Sequence, residues 1–481
     1  MKNRGVNFIA LVLWVSMSIY FFNMDTEAFV LFLLLPPMIG GLLYFAIRKG
    51  YFVLTLFFGL AFFATAITPA FFFMNKDDYS YSGFSAIKDF NFDIYEFLNI
   101  YGYLYLMLFL ILLFTVILNK KLIKHPNKKD PQRNNPKQLS SDISLGIRPA
   151  IEKRNYSIYI MLFIFGVLAP LNIFMYINGI GISTIEPEAK AFKVVGITFY
   201  FRNYIAPLII TYLYLKSNRN KGITLLILFY AAFIGVLSLS KGNVALTCLP
   251  VLLFALLDRK TARLSLSCLY FMMLYGIVAW ARQFVFLADV GSFEMIRLVF
   301  NGFSIESLSE SLNLISALGE FASRLYGANV IVLAHKFNLD NNLIEAINFY
   351  LCKSENLSSI IFSDVFELVE HEGMVFGVGM GYLGTMILLA NKNLLVLLIL
   401  SFITALYLSV SEIIVKKYTT SANVFAPAGY GLGFFMVFFL FDANMEKYYL
   451  ILAVSIIGLF FLNYKRNINS LFGNRRVKHF S

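Results

Sequence analysis

The sequence predicts an all-α fold, a polytopic membrane bundle of about twelve transmembrane helices. The first observation is composition, since 59% of the 481 residues are hydrophobic and only 14% are charged. A soluble domain of this size would leave too much of that apolar surface in contact with water. The second observation is that apolar segments of about 20 residues recur along the chain, each long enough to cross a hydrocarbon core of about 30 Å.

Twelve apolar segments are predicted to cross the membrane. No small-residue cleavage site follows the first segment, so we interpret it as a retained helix and not as a signal peptide. The predicted crossings are 6–22, 28–47, 51–73, 97–118, 156–177, 198–215, 222–239, 243–257, 265–286, 394–415, 420–441 and 447–464. They define three regions: helices one to nine with a basic cytoplasmic loop (1–286, loop 119–155), a large periplasmic loop (287–393), and helices ten to twelve with a basic tail (394–481).

The distribution of charge predicts which side each loop faces, because Lys and Arg concentrate on the cytoplasmic side of bacterial membrane proteins. With the N-terminus in the cytoplasm, the inner segments carry 27 Lys and Arg against 5 Asp and Glu, and the outer segments carry 13 against 23. We therefore expect a bacterial inner-membrane protein with both termini in the cytoplasm. The basic run at 120–138 is expected to face lipid headgroups, and a nucleic-acid partner is not expected.

The predicted periplasmic loop contains two segments that differ from an ordinary connection. Apolar residues recur at helical spacing between 305 and 325, which predicts an amphipathic helix lying against the membrane or the bundle. The segment "GMVFGVGMGYLGTMILLA" (373–390) is apolar but rich in glycine. Counting it as a crossing would spoil the charge asymmetry, so a re-entrant or surface-lying hairpin is predicted, with its backbone buried in protein or hydrated.

Motifs of soluble enzymes give no function. "GMGYLG" (379–384) fits a dinucleotide-binding pattern by spacing, but no strand precedes it, and close helix packing explains it better, as it does "GYGLG" (429–433). The three cysteines show no zinc-ligand spacing and no evident disulfide pairing. We expect neither a metal nor a cofactor.

Four cations near the outer rim of the predicted bundle are the candidate binding residues. A charge at membrane depth costs about 2.5–3.5 kcal/mol on insertion scales, so such residues usually face a cavity and a partner. One interpretation is that each side chain snorkels to the outer headgroups. The other is a basic pocket for a phosphate or pyrophosphate group, since arginine forks and a lysine ammonium both suit phosphate oxygens. The four residues are Arg202, Lys241, Arg282 and Arg324, and the carboxylates Glu186, Glu188 and Glu320 could also pair with them.

Residues 195–415 resemble the Wzy-type O-antigen and surface-polysaccharide polymerases. The order "FRNYIAPLIITYLYLK", a further helix, and "SLSKGNVALTCLPVLLFALLDRK" is similar to theirs, with a cation in a small-residue turn before a helix that ends in basic residues. The turn cation of the family is usually arginine and here is Lys241. A large outer loop follows and closes in a glycine-rich segment that opens at His371 and Gly373.

The resemblance implies a metal-independent membrane glycosyltransferase, similar to the integral-membrane GT-C class. Such an enzyme joins undecaprenyl-pyrophosphate-linked oligosaccharide units, donor and acceptor, into O-antigen or a similar surface polysaccharide at the periplasmic face. Cations would stabilise the pyrophosphate leaving group. His371, Glu370 or Glu372 could be the base that takes the proton of the acceptor hydroxyl. Membrane lipids and a chain-length regulator protein are the other partners that the resemblance suggests.

Three other functions stay open at the level of sequence. An O-antigen ligase is closely related to the polymerase, and a flippase for the same lipid-linked units would also have twelve crossings. Against a transporter, no internal repeat is visible and the candidate cations gather at one rim. A metal-dependent sugar transferase would use the carboxylates of "DTE" (25–27) and "KDDY" (76–79), but the first outer loop is too short to bring ligands from several directions.

Overall fold

The structure is a computed structural model of the 481-residue chain. It describes 26–67, 94–122, 156–178, 196–199, 201–217, 221–238, 342–353, 381–421 and 426–476, together with single positions between 15 and 22 and between 240 and 278. No β-strand occurs among these residues. The prediction of an all-α fold is confirmed for this part of the chain.

Twelve α-helices make up most of the described structure. They are α1 (Thr26–Lys49), α2 (Phe52–Phe62), α3 (Ile94–Leu122), α4 (Tyr156–Phe163), α5 (Ala169–Ile177), α6 (Ala206–Lys216), α7 (Lys221–Ser238), α8 (Asn342–Tyr350), α9 (Gly381–Ala390), α10 (Leu394–Ser421), α11 (Ala426–Phe441) and α12 (Met445–Arg476). Three π-turns adjoin them, at Phe63–Ile67, Ile164–Leu168 and Phe201–Ile205. Every described position in 243–251 and in 266–278 is also helical.

Five of the described helical stretches are long and apolar enough to cross a membrane. They are Phe29–Lys49, Phe97–Leu122, Tyr156–Ile177, Lys221–Ser238 and Leu394–Thr419, and shorter apolar helices occupy Phe52–Ala66, Gly381–Ala390 and Ala428–Phe441. The large side chains that these helices leave exposed are mostly Leu, Ile and Phe, as expected of a surface in lipid. The protein is therefore a helical membrane protein, and the count of twelve crossings stays a prediction.

The chain divides into two compact units. The first unit contains Met1–Lys128, Ala322–Ser421 and Leu432–Ser481, and the second contains Lys129–Phe321 and Ala422–Gly431. In the first unit α10 is the central helix, because α2, α3, α9 and α12 all pack against it. Small and hydroxylated side chains on α10, among them Ser401, Ala405 and Ser409, are fully buried, which lets neighbouring helices approach closely.

The glycine-rich segment ends in a buried helical hairpin. All ten residues of α9 are buried, and α9 packs along α10 after a turn at 391–393. Asn391 and Lys392 have positive φ angles in this turn, and the Asn393 side-chain oxygen accepts the Leu395 backbone N–H at 3.0 Å as an N-cap of α10. This part of the segment is enclosed by protein, and the re-entrant or surface-lying hairpin stays a prediction. Its position in the membrane stays a prediction.

One aromatic contact bears on the direction in which α3 crosses the membrane. Phe114, near the end of α3, makes an edge-to-face contact with Phe402, near the start of α10, with ring centroids 5.6 Å apart. The predicted topology has both helices running from the outer to the inner face, which would place these two residues about 13 Å apart along the membrane normal. The contact and the charge distribution therefore indicate different directions for α3, and phosphatase fusions decide between them.

In the second unit, α4 to α7 form an apolar core around their facing sides. Buried residues of this core include Ile160 and Leu168 before α5, Ile210 and Tyr214 on α6, and Ile227 on α7. The short loop between α6 and α7 is closed by a hydrogen bond between the Tyr214 hydroxyl and Thr224 at 2.9 Å. This hydrogen bond joins the end of α6 to the start of α7.

Candidate functional site

Two prolines shape the helices that build the candidate site. The π-turn Ile164–Leu168 precedes Ala169 and Pro170, and the π-turn Phe201–Ile205 precedes Ala206 and Pro207. Proline lacks an N–H and its ring clashes with the carbonyl four residues back, so it disfavours a regular α-helix before it, although α1 continues through Pro36 and Pro37. A turn widened to an i→i+5 pattern relieves this clash, as the hydrogen bond from Ala169 N–H to the Ile164 carbonyl shows. π-turns are rare and frequently lie at functional sites.

Arg202 lies inside the second of these π-turns and is buried in the second unit. Its side chain is 4% exposed. The Nε group donates a hydrogen bond to Asn203 Oδ1 at 2.9 Å, and the guanidinium lies 5.9 Å from the centroid of the Phe199 ring. The Tyr230 hydroxyl on α7 also interacts with it electrostatically. A snorkelling side chain keeps its charged end at the surface, so this burial argues against the snorkelling interpretation for Arg202.

Asn172 and Tyr230 form a second polar group beside Arg202. Asn172 follows the first π-turn and is 2% exposed. Its Nδ2 group donates to the Leu168 carbonyl at 2.7 Å and to the Tyr230 hydroxyl at 2.8 Å. Its Oδ1 atom is buried and has no hydrogen-bond partner among the described residues. An arginine, two asparagines and a tyrosine are thus gathered inside a unit whose core is otherwise apolar.

The turn after α7 is also polar, and the described residues Ser238, Ser240 and Asn243 belong to it. Ser238 Oγ donates to the Ile234 carbonyl at 2.7 Å and accepts from Asn243 Nδ2 at 3.1 Å. Ser240 Oγ accepts the Asn243 backbone N–H at 3.4 Å, the arrangement of an N-cap for the helical segment that follows. Serine and asparagine therefore define the turn. Lys241 itself lies outside the described residues.

Close packing fixes this turn against its neighbours. A Cβ added to Gly235 would lie 2.6 Å from a methyl group of Val244 and 3.0 Å from one of Val278. Three helical segments meet at this glycine, and the cluster that surrounds it is apolar, with Ala231 and Cys248 buried in it. The polar turn is therefore attached to a tightly packed support.

The other predicted site residues cannot be placed relative to Arg202. Lys241, Arg282, Arg324, Glu370, His371 and Glu372 lie outside the described residues, as do Glu186, Glu188 and Glu320. The side chains of 25–27 and the whole of 76–79 also lie outside them. Within the described part of the chain, no group of three or more His, Cys, Asp or Glu side chains could hold a metal ion.

A cluster of tyrosines forms a separate polar group in the first unit. It contains Tyr350, Tyr382, Tyr407, Tyr448 and Tyr449, whose hydroxyls bond to one another, to Thr404, to Ser411 and to backbone carbonyls. Burial raises the pKa of Tyr350 well above its usual value, so this phenol stays neutral near pH 7. Because its hydroxyls bond within the cluster, we interpret it as a joint that holds α8, α9, α10 and α12 together.

Glu412 on α10 is a buried carboxylate that caps another helix. Its two oxygens accept the backbone N–H groups of Phe52 at 3.1 Å and of Val53 at 2.7 Å, at the start of α2. The positive end of the α2 dipole favours a negative charge at this place. The hydrogen bonds use both oxygens, so we assign Glu412 to stability and not to the candidate site.

Asn172, Tyr230 and Glu412 were not predicted from the sequence. A signal for Asn172 exists, because the triplet Ala-Pro-Leu occurs at 169–171 and again at 206–208, each time beside buried polar residues inside an apolar segment. Comparisons with protein-family models, with curated proteins and with solved structures find no match to this chain.

Proposed function

We propose that this protein is a membrane glycosyltransferase that polymerises undecaprenyl-pyrophosphate-linked oligosaccharide units into a surface polysaccharide. It acts at the periplasmic face of a bacterial inner membrane, and the charge distribution favours twelve crossings with both termini in the cytoplasm. In the reaction, a hydroxyl oxygen of the acceptor unit bonds to the anomeric carbon of the donor glycan. The bond from that carbon to the pyrophosphate breaks, undecaprenyl pyrophosphate leaves with the electron pair, and a base takes the hydroxyl proton.

The observation that carries the proposal is the burial of Arg202 among polar side chains. Arg202 is 4% exposed and lies among polar side chains, and a guanidinium has several N–H groups in a planar fork that suits phosphate oxygens. A pyrophosphate gains negative charge as it leaves, and a preorganised cation stabilises that charge more strongly in a site without bulk water. Lys241, Arg282 and Arg324 are proposed as further cations for the same group.

A deletion strain separates the polymerase from its two nearest alternatives. If the protein is a polymerase, lipopolysaccharide from the strain should carry single-repeat caps, because units are still made, flipped and ligated. If the protein is the ligase or the flippase, the core should be bare. Unchanged polymer in the deletion strain would exclude all three functions.

Substitution of Arg202 tests the site itself. A charge-assisted contact contributes about 1.5–3 kcal/mol, so Arg202→Ala should lower polymer formation by about one to two orders of magnitude. Arg48→Ala is the matched control, because Arg48 is an exposed arginine at the end of α1. Polymer length and amount are compared at matched protein levels. Equal activity of the two variants would remove Arg202 from the proposed site.

Lys241 tests the second proposed cation. Lys241→Ala should also lose about one to two orders of magnitude of activity, since a contact of the same kind is removed. Lys241→Arg should keep much of the activity, because the phosphate needs a cation more than a particular shape. A lysine that only anchors headgroups would leave polymerisation by Lys241→Ala and Lys241→Gln nearly normal.

His371 is the first choice among the three proposed bases, with Glu370 and Glu372 next to it. If it takes the acceptor proton, His371→Gln should lower turnover and leave donor binding nearly unchanged, because the base acts in the transition state. An unaltered rate in that variant would transfer the role to one of the glutamates, which the corresponding glutamine variants then test.

A further inference from the structure

The orientation of the Asn172 amide is fixed by its neighbours. The Leu168 carbonyl can only accept a hydrogen bond, so the group 2.7 Å from it must be the NH₂ group of the amide. The second hydrogen of that NH₂ group points to the Tyr230 hydroxyl at 2.8 Å. Both amide hydrogens are therefore used, and Oδ1 is left as a buried acceptor without a partner among the described residues.

The Tyr230 hydroxyl requires an acceptor for its hydrogen. Asn172 donates to its oxygen, and Arg202, the charged group that interacts with it, offers only N–H donors. The hydroxyl hydrogen therefore needs an acceptor that neither of these neighbours supplies. Buried polar groups are rarely left unpaired, because each costs a large part of a hydrogen bond. The site consequently combines a buried acceptor without a partner among the described residues, a hydroxyl whose hydrogen neither Asn172 nor Arg202 can accept, and a cation.

We propose that Asn172 and Tyr230 complete the Arg202 site and that its ligand is a sugar phosphate, not a bare phosphate or pyrophosphate. The phosphate oxygens accept hydrogen bonds from Arg202 and from the Tyr230 hydroxyl. A hydroxyl of the sugar next to the phosphate donates to Asn172 Oδ1. A bare phosphate ester offers acceptors only and leaves Asn172 Oδ1 unpaired, so Asn172 distinguishes ligands with a sugar from those without one.

This inference rests on the proposed function, since it assigns the donor sugar to one side of the same site. The two can still fail separately. The proposed function requires that a polyprenyl pyrophosphate binds and that Arg202 contributes to its affinity. The inference requires in addition that the first sugar increases the affinity and that Asn172 is the residue responsible.

The experiment measures binding of two probes to the purified full-length protein in nanodiscs. The probes are undecaprenyl pyrophosphate and undecaprenyl-pyrophosphate-linked N-acetylglucosamine. The wild-type protein should bind the sugar-bearing probe about tenfold more tightly, the effect expected of one buried hydrogen bond. Asn172→Ala should abolish this preference and bind both probes with the affinity that the wild type has for the sugarless one. Tyr230→Phe should bind both probes about tenfold more weakly.

Each outcome decides one of the two claims. Equal affinity of the wild type for both probes would overturn the inference without the need for any variant. A preference that survives in Asn172→Ala would also overturn it, because the sugar would then be recognised without Asn172. In the wild type a buried water would satisfy Oδ1 instead. If Arg202→Ala binds both probes as the wild type does, the proposed function of the site fails as well. Phosphatidylglycerol vesicles as competitor test the remaining source of a phosphate with a neighbouring hydroxyl, and strong competition would assign the site to a lipid headgroup.

Discussion

Glu412 offers the sharpest test of how the first unit is held together. Its carboxylate accepts two backbone N–H groups at the start of α2, at 3.1 Å and 2.7 Å, and the residue is 6% exposed. Both carboxyl oxygens therefore act as hydrogen-bond acceptors. Glu412→Gln keeps the size of the side chain, but its NH₂ group is a donor and cannot accept a hydrogen bond from the backbone N–H opposite it.

The expected magnitude follows from the contacts that are lost. A hydrogen bond to a charged group contributes about 1.5–3 kcal/mol, and a charge at a helix N-terminus contributes up to about 2 kcal/mol where it is partly buried. Glu412→Gln loses one of the two bonds and the charge, so we expect the free energy of unfolding to fall by about 2 kcal/mol. Glu412→Ala loses both bonds and should cost about 3 kcal/mol or more.

Thermal unfolding in detergent, followed by the loss of the monodisperse peak in size-exclusion chromatography, measures this effect. A loss of 2 kcal/mol lowers the melting temperature by about 4–8 °C in a domain of about 200 residues. Glu446→Gln is the matched control, because Glu446 is exposed in the first turn of α12 and should change the melting temperature by no more than about 2 °C. Equal melting temperatures for the two variants would refute the capping role.

Three further predictions concern packing, reactivity and topology. Gly235→Ala should destabilise the protein by about 1–3 kcal/mol because its methyl group meets two valines, whereas Gly41→Ala, with open space around the glycine, should be neutral or stabilising in the same thermal assay. Partial burial and a nearby carboxylate raise the pKa of Cys352. In a variant whose other two cysteines are alanine, alkylation of Cys352 at pH 8 should therefore be slower than alkylation of a free cysteine peptide. An equal rate would contradict this prediction. The charge distribution predicts that alkaline phosphatase fused after residue 340 is active and that the fusion after residue 140 is inactive, because only residue 340 lies in the periplasm. Activity of both fusions would refute the charge-based direction of α3 and support the direction that its contact with α10 indicates.

Hydropathy predicted most of the described helices because the membrane fixes their length. The predicted crossing 156–177 coincides with the apolar helical stretch Tyr156–Ile177, and the predicted crossing 222–239 differs by one residue at each end from Lys221–Ser238. Every backbone group must be paired inside a helix within the hydrocarbon core, so an apolar run of this length has few alternatives. The hydropathy of successive segments therefore determines where such a helix lies along the chain.

Hydropathy could not predict which face of each helix meets which neighbour. Arg202 was found as a cation in an apolar segment, but its neighbours Asn172 and Tyr230 lie about 30 residues away on either side in the sequence. Glu412 entered only the charge balance of the inner side, since its partners at the start of α2 are 359 and 360 residues distant. Such pairs depend on helix rotation and packing, which leave little trace in a single sequence.

The π-turns explain how an apolar helix can hold a polar site without exposing it to lipid. A regular helix turns by about 100° per residue, so the single extra residue of a π-turn rotates everything beyond it by that angle. Residues before and after the turn can then face different neighbours, and Arg202 can point into the protein while Ile205, three residues later, remains exposed on the apolar surface. Pro170 and Pro207 favour the two turns, because a regular α-helix accommodates proline poorly. The two prolines therefore contribute to the positions of Arg202 and Asn172, although neither has a polar side chain.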